Sequence, residues 1–147
     1  MTEIRAVEPG DHDAWRELFR AYGEFYETAF TDDVLDGVWG WLLDPEHEVS
    51  ALAAVQDGEI VGFAHIRRVA DTFTAGPGWF LDDLYVAPAH RGSGVARALI
   101  ERGYADATAA GGGTFRWITA ADNETAQLLY DRIATRAGWV VYEKELG

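Results

Sequence analysis

The stretch LDDLYVAPAHRGSGVA, residues 81–96, decides the fold of this chain. It begins as an apolar run typical of a β-strand, continues into a loop that holds Gly92 and Gly94, and opens a helix predicted from about Gly92 to Ala110. Glycine lacks a Cβ, so backbone N–H groups in such a loop can approach a ligand closely. The start of a helix adds unpaired donors and a partial positive charge. The turn therefore suits an anion such as a pyrophosphate, although a purely structural turn has the same bare pattern.

Two common phosphate-binding motifs are excluded at this turn. A Walker A loop needs a lysine, and the only lysine of the chain is Lys144. A six-residue dinucleotide fingerprint needs a third glycine, but the residue three positions after Gly94 is Arg97.

The rest of the chain alternates helical and strand-like periods around this stretch. Asp57-Gly58 is a strong hairpin signal between two apolar runs, and Thr31 and Asn123 each precede a helical pattern. The predicted order is β-α-α-β-β-β-α-β-α-β, a mixed α/β sheet with one βαβ crossover. The predicted strands are Ile4–Val7, Ala51–Val55, Ile60–Ile66, Trp79–Val86, Phe115–Ala120 and Trp139–Leu146, and the helices begin at Asp11, Thr31, Gly92 and Asn123.

Composition limits the class of protein. The 147 residues fit one domain, 1–147, and carry 12 Lys+Arg against 25 Asp+Glu, a formal charge of −13. This acidity argues against nucleic acid and an anionic membrane as partners, and it weakly favours a cationic small molecule or peptide. There is no cysteine, which excludes a Cys nucleophile, and the N-terminus lacks a signal-peptide pattern. We expect a soluble, cytoplasmic protein.

The chain resembles the GNAT (GCN5-related) N-acetyltransferase superfamily. Arg91-x-x-Gly94-x-Ala96 after a strand ending Leu84-Tyr85-Val86 is similar to motif A of that family, and the block from Asn123 to Tyr130 stands where its second motif is expected. Within the superfamily, the sequence is most similar to the diamine and polyamine acetyltransferase branch. The resemblance implies a single-domain α/β fold with a mixed, mostly antiparallel sheet, splayed central strands and about four helices.

The same resemblance implies acetyl-CoA as co-substrate. The loop amides would hold the CoA pyrophosphate, and the preceding strand would pair with the pantetheine arm. No metal is expected, because the four histidines show no metal-ligand spacing. The implied cofactor-binding residues are Leu84, Tyr85, Val86, Arg91, Gly92, Ser93, Gly94, Val95, Ala96 and Asn123.

Acetyl transfer to an amine needs a base for the ammonium proton and an acid for the departing thiolate. The resemblance implies Tyr130 as the acid, Asp82 as a base acting through water, Asp83 as the ammonium contact, and Glu24 and Tyr26 as lining of the acceptor pocket. Strand alternation predicts that the two aspartates point to opposite faces. Simpler interpretations are that Tyr130 edges the core and that each aspartate faces solvent or pairs with an arginine.

The resulting hypothesis is an N-acetyltransferase that moves acetyl from acetyl-CoA directly to a primary amine of a small cationic acceptor such as a diamine or polyamine. Two alternatives stay open: a protein N-terminus or amino acid as acceptor, and a non-enzymatic CoA-binding sensor. Only Arg132–Gly138 separates the last helix from the closing strand, where the family usually has a two-strand hairpin. That end often supplies a dimer contact in the family, so a homodimer also stays open.

Overall fold

The computed structural model describes all residues from Met1 to Gly147 and contains one five-stranded sheet in the order β1-β2-β3-β4-β5. The first four strands pair antiparallel, and β5 pairs parallel with β4. The strands are β1 (Thr2–Ala6), β2 (Val49–Gln56), β3 (Glu59–Asp71), β4 (Gly76–Val86) and β5 (Phe115–Arg116). The helices are α1 (His12–Phe25), α2 (Asp32–Leu43), α3 (Val95–Ala109) and α4 (Glu124–Ile133).

The β2–β3 hairpin confirms the turn predicted at Asp57-Gly58. Both residues have positive φ, 50° at Asp57 and 79° at Gly58, as a type I′ turn requires. The turn sets the register in which Ala51 lies opposite His65 and Ala53 opposite Phe63.

Each face of the sheet buries its own cluster. On one face, Trp15 and Phe19 of α1 and Leu35 of α2 pack against Phe63. On the other face, α3 packs against the sheet; the buried members of this cluster are Leu52, Ala54, Val61, Ala64, Ile66, Leu81, Val86, Val95, Leu99 and Ile100. The helices on both faces fix the orientation of β3 and β4, the strands that lead to the glycine turn.

A β-bulge interrupts the pairing of β4 with β3. His65 lies opposite Asp83 and Ile66 lies opposite Leu81, so Asp82 has no partner residue. On its other side, β4 pairs with β5 only at Trp79 and Phe80. The two strands separate from the bulge onward, which is why the strand predicted over Phe115–Ala120 ends at Arg116.

The closing strand predicted over Trp139–Leu146 is wrong for the single chain. Beyond the bond from Ala134 N–H to the Tyr130 carbonyl, residues 135–147 make no backbone hydrogen bond, and every residue from Ala134 onward is exposed. A strand exists only through pairing with another strand, and no strand of this chain lies beside this segment.

The segment between β3 and β4 also differs from the prediction. The Gly/Pro run Ala75–Gly78 reads as a loop, but β3 extends to Asp71 and β4 begins at Gly76, which leaves a four-residue turn. No helix of the structure has the length and apolar character needed to cross a membrane.

Two of the predicted helix caps, Thr31 and Asn123, are confirmed, and the third, Asp11, forms a different interaction. Thr31 accepts a hydrogen bond from Val34 N–H, and Asn123 accepts one from Ala126 N–H. Asp11 does not cap α1 with its side chain. Its carboxylate instead accepts two bonds from the Arg5 guanidinium, at 2.7 and 3.0 Å, and one from Glu8 N–H at 2.7 Å. This pairing ties β1 to the start of α1.

We predict that Asp11→Ala lowers the free energy of unfolding by about 2 kcal/mol at pH 7, because it removes charge-assisted bonds at a buried site. The pairing with Arg5 lowers the pKa of Asp11 from its ordinary 3.8. The stabilisation is therefore complete above about pH 4 and is lost as the pH falls through the lowered pKa. Urea denaturation at several pH values measures the difference between variant and wild type.

The matched control is Glu17→Ala, which removes an exposed carboxylate from the same helix and is expected to change stability by less than about 0.5 kcal/mol. Equal losses for the two variants, or a loss that persists unchanged well below pH 3, would contradict the assigned role of Asp11.

Candidate functional site

A cleft of about 720 Å³ opens where β4 and β5 separate. One wall is β4 from Leu81 to Val86, and the other is the chain after β5 together with α4. The glycine turn and the first turn of α3 close one end, and the last turns of α1 close the other. The cleft therefore joins the two faces of the sheet through a gap between neighbouring strands.

The glycine turn presents a row of free donors to the cleft. Gly92 and Gly94 have φ of 79° and 85°, the left-handed region in which a side chain is strained. The backbone N–H groups from Gly92 to Arg97 donate to no acceptor in the protein, and no side chain caps the helix. A Cβ built on either glycine would meet nothing within 4 Å. These residues fit a pyrophosphate of CoA, as the sequence predicts.

The free edge of β4 fits the pantetheine arm of CoA. From Leu81 to Val86 this edge has no strand partner, so its backbone groups face the cleft. Arg91 lies at the end of the edge, where its Nε donates to the Val86 carbonyl at 2.8 Å and its guanidinium stacks over the Tyr85 ring. The Arg91 side chain therefore secures the junction between β4 and the glycine turn.

Charge is divided along the cleft. Arg91, Arg97 and Arg132 line the cleft together with the glycine turn, although the protein as a whole carries −13. The carboxylate Asp82 lines it from the bulge in β4. A molecule with phosphates at one end and a reacting carbonyl at the other matches this division.

Tyr130 lines the α4 wall of the cleft. Its ring packs edge-on against Trp117, with centroids 5.4 Å apart. Burial raises the pKa of Tyr130, and the nearby Tyr26 raises it further, so the hydroxyl keeps its proton at neutral pH. A protonated phenol in the cleft is suited to donate a proton to a leaving group.

The bulge corrects one expectation about Asp82 and Asp83. Strand alternation predicts opposite faces, yet Asp82 bonds to Arg67 and Asp83 bonds to His65, two residues that share one face of β3. The extra residue shifts the alternation by one position, which brings both carboxylates to the α1 side of the sheet.

The two carboxylates have different partners. Arg67 donates to both oxygens of Asp82, at 3.0 Å each, so that this negative charge is balanced. The pairing raises the pKa of Arg67. Asp83 contacts no arginine or lysine, and its hydrogen-bond partner is the ring of His65 at 2.8 Å.

Most of the site residues predicted from sequence lie in this one cleft. The residues brought together are Asp82, Leu84, Tyr85, Val86, Arg91, Gly92, Gly94, Val95, Ala96, Asn123, Tyr130 and Tyr26. Three are not among its lining residues: Glu24 is exposed, Asp83 lies behind the wall, and the Ser93 hydroxyl donates to the His90 carbonyl. Asn123 lines the cleft while its side chain caps α4.

Tyr22 of α1 lines the cleft but is not among the site residues predicted from the sequence. Tyr22, Phe25 and Tyr26 line the end of the cleft beside α1, and Trp117 lines the opposite wall. Tyr22 stands one helical turn before Tyr26, so the spacing placed both on one face. No pattern in the sequence pointed to Arg67, because its pairing with Asp82 depends on the register of β3 against β4.

Comparison with known proteins agrees with this geometry. The chain is 32% identical over 143 residues to the D-amino-acid N-acetyltransferase HPA3 of Saccharomyces cerevisiae, covering 96% of this chain and 89% of that protein. It is 39% identical over 100 residues to the aminoglycoside N(6')-acetyltransferase type 1 of Stenotrophomonas maltophilia, covering 66% of this chain and 61% of that one. These relatives are amino-acid and aminoglycoside acetyltransferases, so the diamine and polyamine branch stays a proposal.

A solved structure shares the fold. The aminoglycoside N-acetyltransferase AAC(6')-Iy in complex with CoA superposes with a TM-score of 0.86, at 21% identity, over 99% of this chain and 95% of that one. The family model described as acetyltransferase (GNAT) family matches residues 12–134. The chain therefore belongs to the acetyltransferase (GNAT) family and is an N-acetyltransferase that uses acetyl-CoA.

Proposed function

We propose that residues 1–147 form one N-acetyltransferase domain that acetylates the primary amine of a small cationic acceptor such as a diamine or polyamine. The observation that carries the proposal is the end of the cleft beside α1, the acceptor end, which is lined by the rings of Tyr22 and Tyr26 and by the carboxylate of Asp82, with Asp83 next to Asp82 on the same face of β4. Aromatic faces and carboxylates are the groups that attract an alkylammonium ion in water. The proposal keeps the cytoplasmic location expected from sequence.

The residues of the cleft would each have a separate role in the transfer. Acetyl-CoA supplies the acetyl group as a thioester. Asp82, held by Arg67, takes the proton of the acceptor ammonium through a water molecule, and the amine nitrogen then bonds to the carbonyl carbon. As the carbon–sulfur bond breaks, Tyr130 gives its proton to the departing sulfur. The positively charged nitrogen of the new amide loses its excess proton, which restores the Tyr130 hydroxyl, and Asp82 passes the proton it took from the ammonium to solvent. Asp83 would attract the ammonium group of the acceptor.

The cofactor end would bind CoA through the backbone more than through side chains. The free N–H groups from Gly92 to Arg97 would face the phosphates, and Arg91 and Arg97 belong to the same turn. Val95 and Ala96 begin α3, and Asn123 borders the pantetheine side while it caps α4.

A second candidate acceptor is an amino acid. The identity of 32% to a D-amino-acid N-acetyltransferase extends over 96% of this chain and so includes both ends of the cleft. An amino acid carries a carboxylate beside its amine, and Arg132 is the lining cation on the α4 wall that could face it.

The experiment that tests the function is release of CoA from acetyl-CoA with a panel of diamines, polyamines, amino acids and aminoglycosides. We expect fastest release with an acceptor that carries two or more amines and no carboxylate. Fastest release with an amino acid would select the second candidate. Binding of acetyl-CoA without release above hydrolysis for any amine would contradict the proposed transfer and favour a CoA-binding sensor.

We predict that Tyr130→Phe lowers kcat about 100-fold while the Kd for acetyl-CoA changes less than about twofold, because the variant loses the acid and keeps the ring against Trp117. Steady-state kinetics and calorimetry measure the two quantities. The matched control is Tyr104→Phe on the exposed surface of α3, which is expected to leave kcat unchanged. A wild-type kcat in Tyr130→Phe would remove this residue from the mechanism.

We also propose that the enzyme is a homodimer in which the C-terminal segment, residues 139–146, pairs with the second copy. Five large apolar side chains are exposed there: Trp139, Val140, Val141, Tyr142 and Leu146. The outer edge of β5 has no strand partner either. The segment makes no backbone hydrogen bond with its own sheet, and the link that joins it to α4 is short, a feature that favours exchange between copies.

We predict a wild-type mass in sedimentation of twice the 16.2 kDa of one chain. Val141→Pro should shift the protein toward the single-chain mass, because proline removes an N–H donor and disfavours strand pairing. Phe73→Asp, which alters an exposed apolar residue in the β3–β4 turn, should stay dimeric. A wild type that sediments as one chain at 100 μM would contradict this assembly.

A further inference from the structure

Three side chains form a buried hydrogen-bonded chain behind the acceptor end of the cleft. Trp15 of α1 donates from Nε1 to Nε2 of His65 on β3, at 2.9 Å. The Nδ1 atom of the same ring lies 2.8 Å from Oδ2 of Asp83 on β4. Trp15 is 1% exposed and His65 is 2% exposed, whereas the Asp83 side chain is 23% exposed. This series of hydrogen bonds thus runs from the core toward the site.

The chemistry of the three groups fixes the direction of both bonds. An indole N–H only donates, so Nε2 of His65 must accept and carries no proton. The ring proton of the neutral imidazole is therefore on Nδ1, which donates to Asp83. Asp83 accepts this bond as a carboxylate. Both ring nitrogens are committed, and a second proton on the imidazole would require loss of the bond from Trp15.

The surroundings of His65 leave it no other polar partner. Phe19 of α1 and Phe63 of β3 pack against the imidazole, each with a centroid distance of 4.7 Å, and Ala51 of β2 lies beside it in the sheet. Asp83 is the charged group that contacts the ring from β4. The imidazole is thus held as a neutral donor, and it orients Asp83 without balancing its charge.

Asp83 does not line the cleft, and it acts on the cleft through Tyr22, which does line it. Burial raises the pKa of Tyr22, and the nearby negative charge of Asp83 raises that pKa further, so the Tyr22 hydroxyl keeps its proton. Tyr22 itself lines the cleft, and its ring packs against those of Tyr26 and Tyr85. An ammonium ion at this end would meet the Tyr22 hydroxyl oxygen backed by a full negative charge.

We infer that Trp15 and His65 are positioning residues that hold Asp83 as an oriented, charge-unbalanced carboxylate for recognition of the acceptor's ammonium group. The inference rests on the proposed acetyl transfer to an amine and adds the residues that govern its acceptor affinity. It also separates the two aspartates: Asp82 is balanced by a cation and Asp83 by none. Neither Trp15 nor His65 lines the cleft, so both act through Asp83.

The kinetic test compares His65→Asn, His65→Phe and Trp15→Phe with the wild type, using the amine that the panel shows to react fastest. His65→Phe leaves Asp83 without its donor, and we expect the KM for the amine to rise about tenfold with the Kd for acetyl-CoA unchanged. His65→Asn keeps an N–H near the Nδ1 position and should restore KM to within about threefold of the wild type. Melting temperatures identify any variant that fails to fold.

Trp15→Phe supplies a second test that does not depend on removing His65. Without the indole donor, nothing fixes the ring proton on Nδ1, so the imidazole can turn an acceptor nitrogen toward Asp83 and leave the carboxylate without its donor. We therefore expect the KM for the amine to rise about threefold in this variant, with the Kd for acetyl-CoA unchanged. The matched control is Trp39→Phe, which alters the ring packed 5.0 Å from Trp15 and leaves the hydrogen-bonded chain intact. Its KM for the amine should equal the wild-type value.

Nitrogen NMR of the resting enzyme separates this inference from the proposed function. We expect His65 to carry its proton on Nδ1 from pH 6 to 8 in the wild type and to lose this fixed tautomer in Trp15→Phe. Activity with amines combined with wild-type amine KM in folded His65→Phe would overturn the inference and leave the function standing. A wild type that shows the Nδ1 tautomer but acetylates no amine would overturn the function, and with it the role assigned to Asp83.

Discussion

The site depends on one irregularity in the backbone, the bulge at Asp82 in β4. A regular strand would continue its pairing with β5 past Phe80 and would close the gap that fits the cofactor. Because the extra residue bends β4 at that point, the strand keeps β3 on one edge and frees the other edge for a ligand. The glycine turn lies at the end of the same strand, so the opening leads directly to the phosphate end.

The bulge also determines the electrostatics of the acceptor end. It brings Asp82 and Asp83 to one face, where two like charges a short distance apart would repel each other. The structure meets this constraint by giving each a different partner, a guanidinium for one and a neutral imidazole for the other. One carboxylate is thereby paired with a cation and the other with a neutral ring, an arrangement that would suit the proposed cationic acceptor.

The acidity of the protein and its binding of a polyanionic cofactor are compatible because the phosphate end uses few charges. Backbone N–H groups at the start of α3 carry the positive end of the helix dipole and stay free whatever the net charge. Arg91 and Arg97 belong to the glycine turn and line the cleft, while most of the 25 acidic residues lie elsewhere on the surface. The charge of −13 is therefore a property of the whole surface and not of the cofactor site.

Local sequence patterns were enough to predict the family, the helices and the glycine turn at one end of the cleft. Those features depend on local patterns: glycines at 92 and 94, hydroxyl and amide caps at 31 and 123, and the Asp57-Gly58 turn. Each of these residues acts on neighbouring backbone groups, so a short stretch of sequence is enough to explain the turn or the helix end that it forms. For that reason the residue pattern alone is enough to predict that the loop from Arg91 to Ala96 is a glycine turn that opens a helix.

Only the tertiary structure decided the acceptor end and the fate of the C-terminal segment. The shared face of the two aspartates, the pairing of Asp82 with Arg67 and the buried bond from Trp15 to His65 arise from strand register and helix packing between distant parts of the chain. The strand pattern at 139–146 is real in sequence, yet a strand forms only where another strand can pair with it. Local periodicity indicates which secondary structure a segment favours. Pairing with distant parts of the chain determines whether that secondary structure forms.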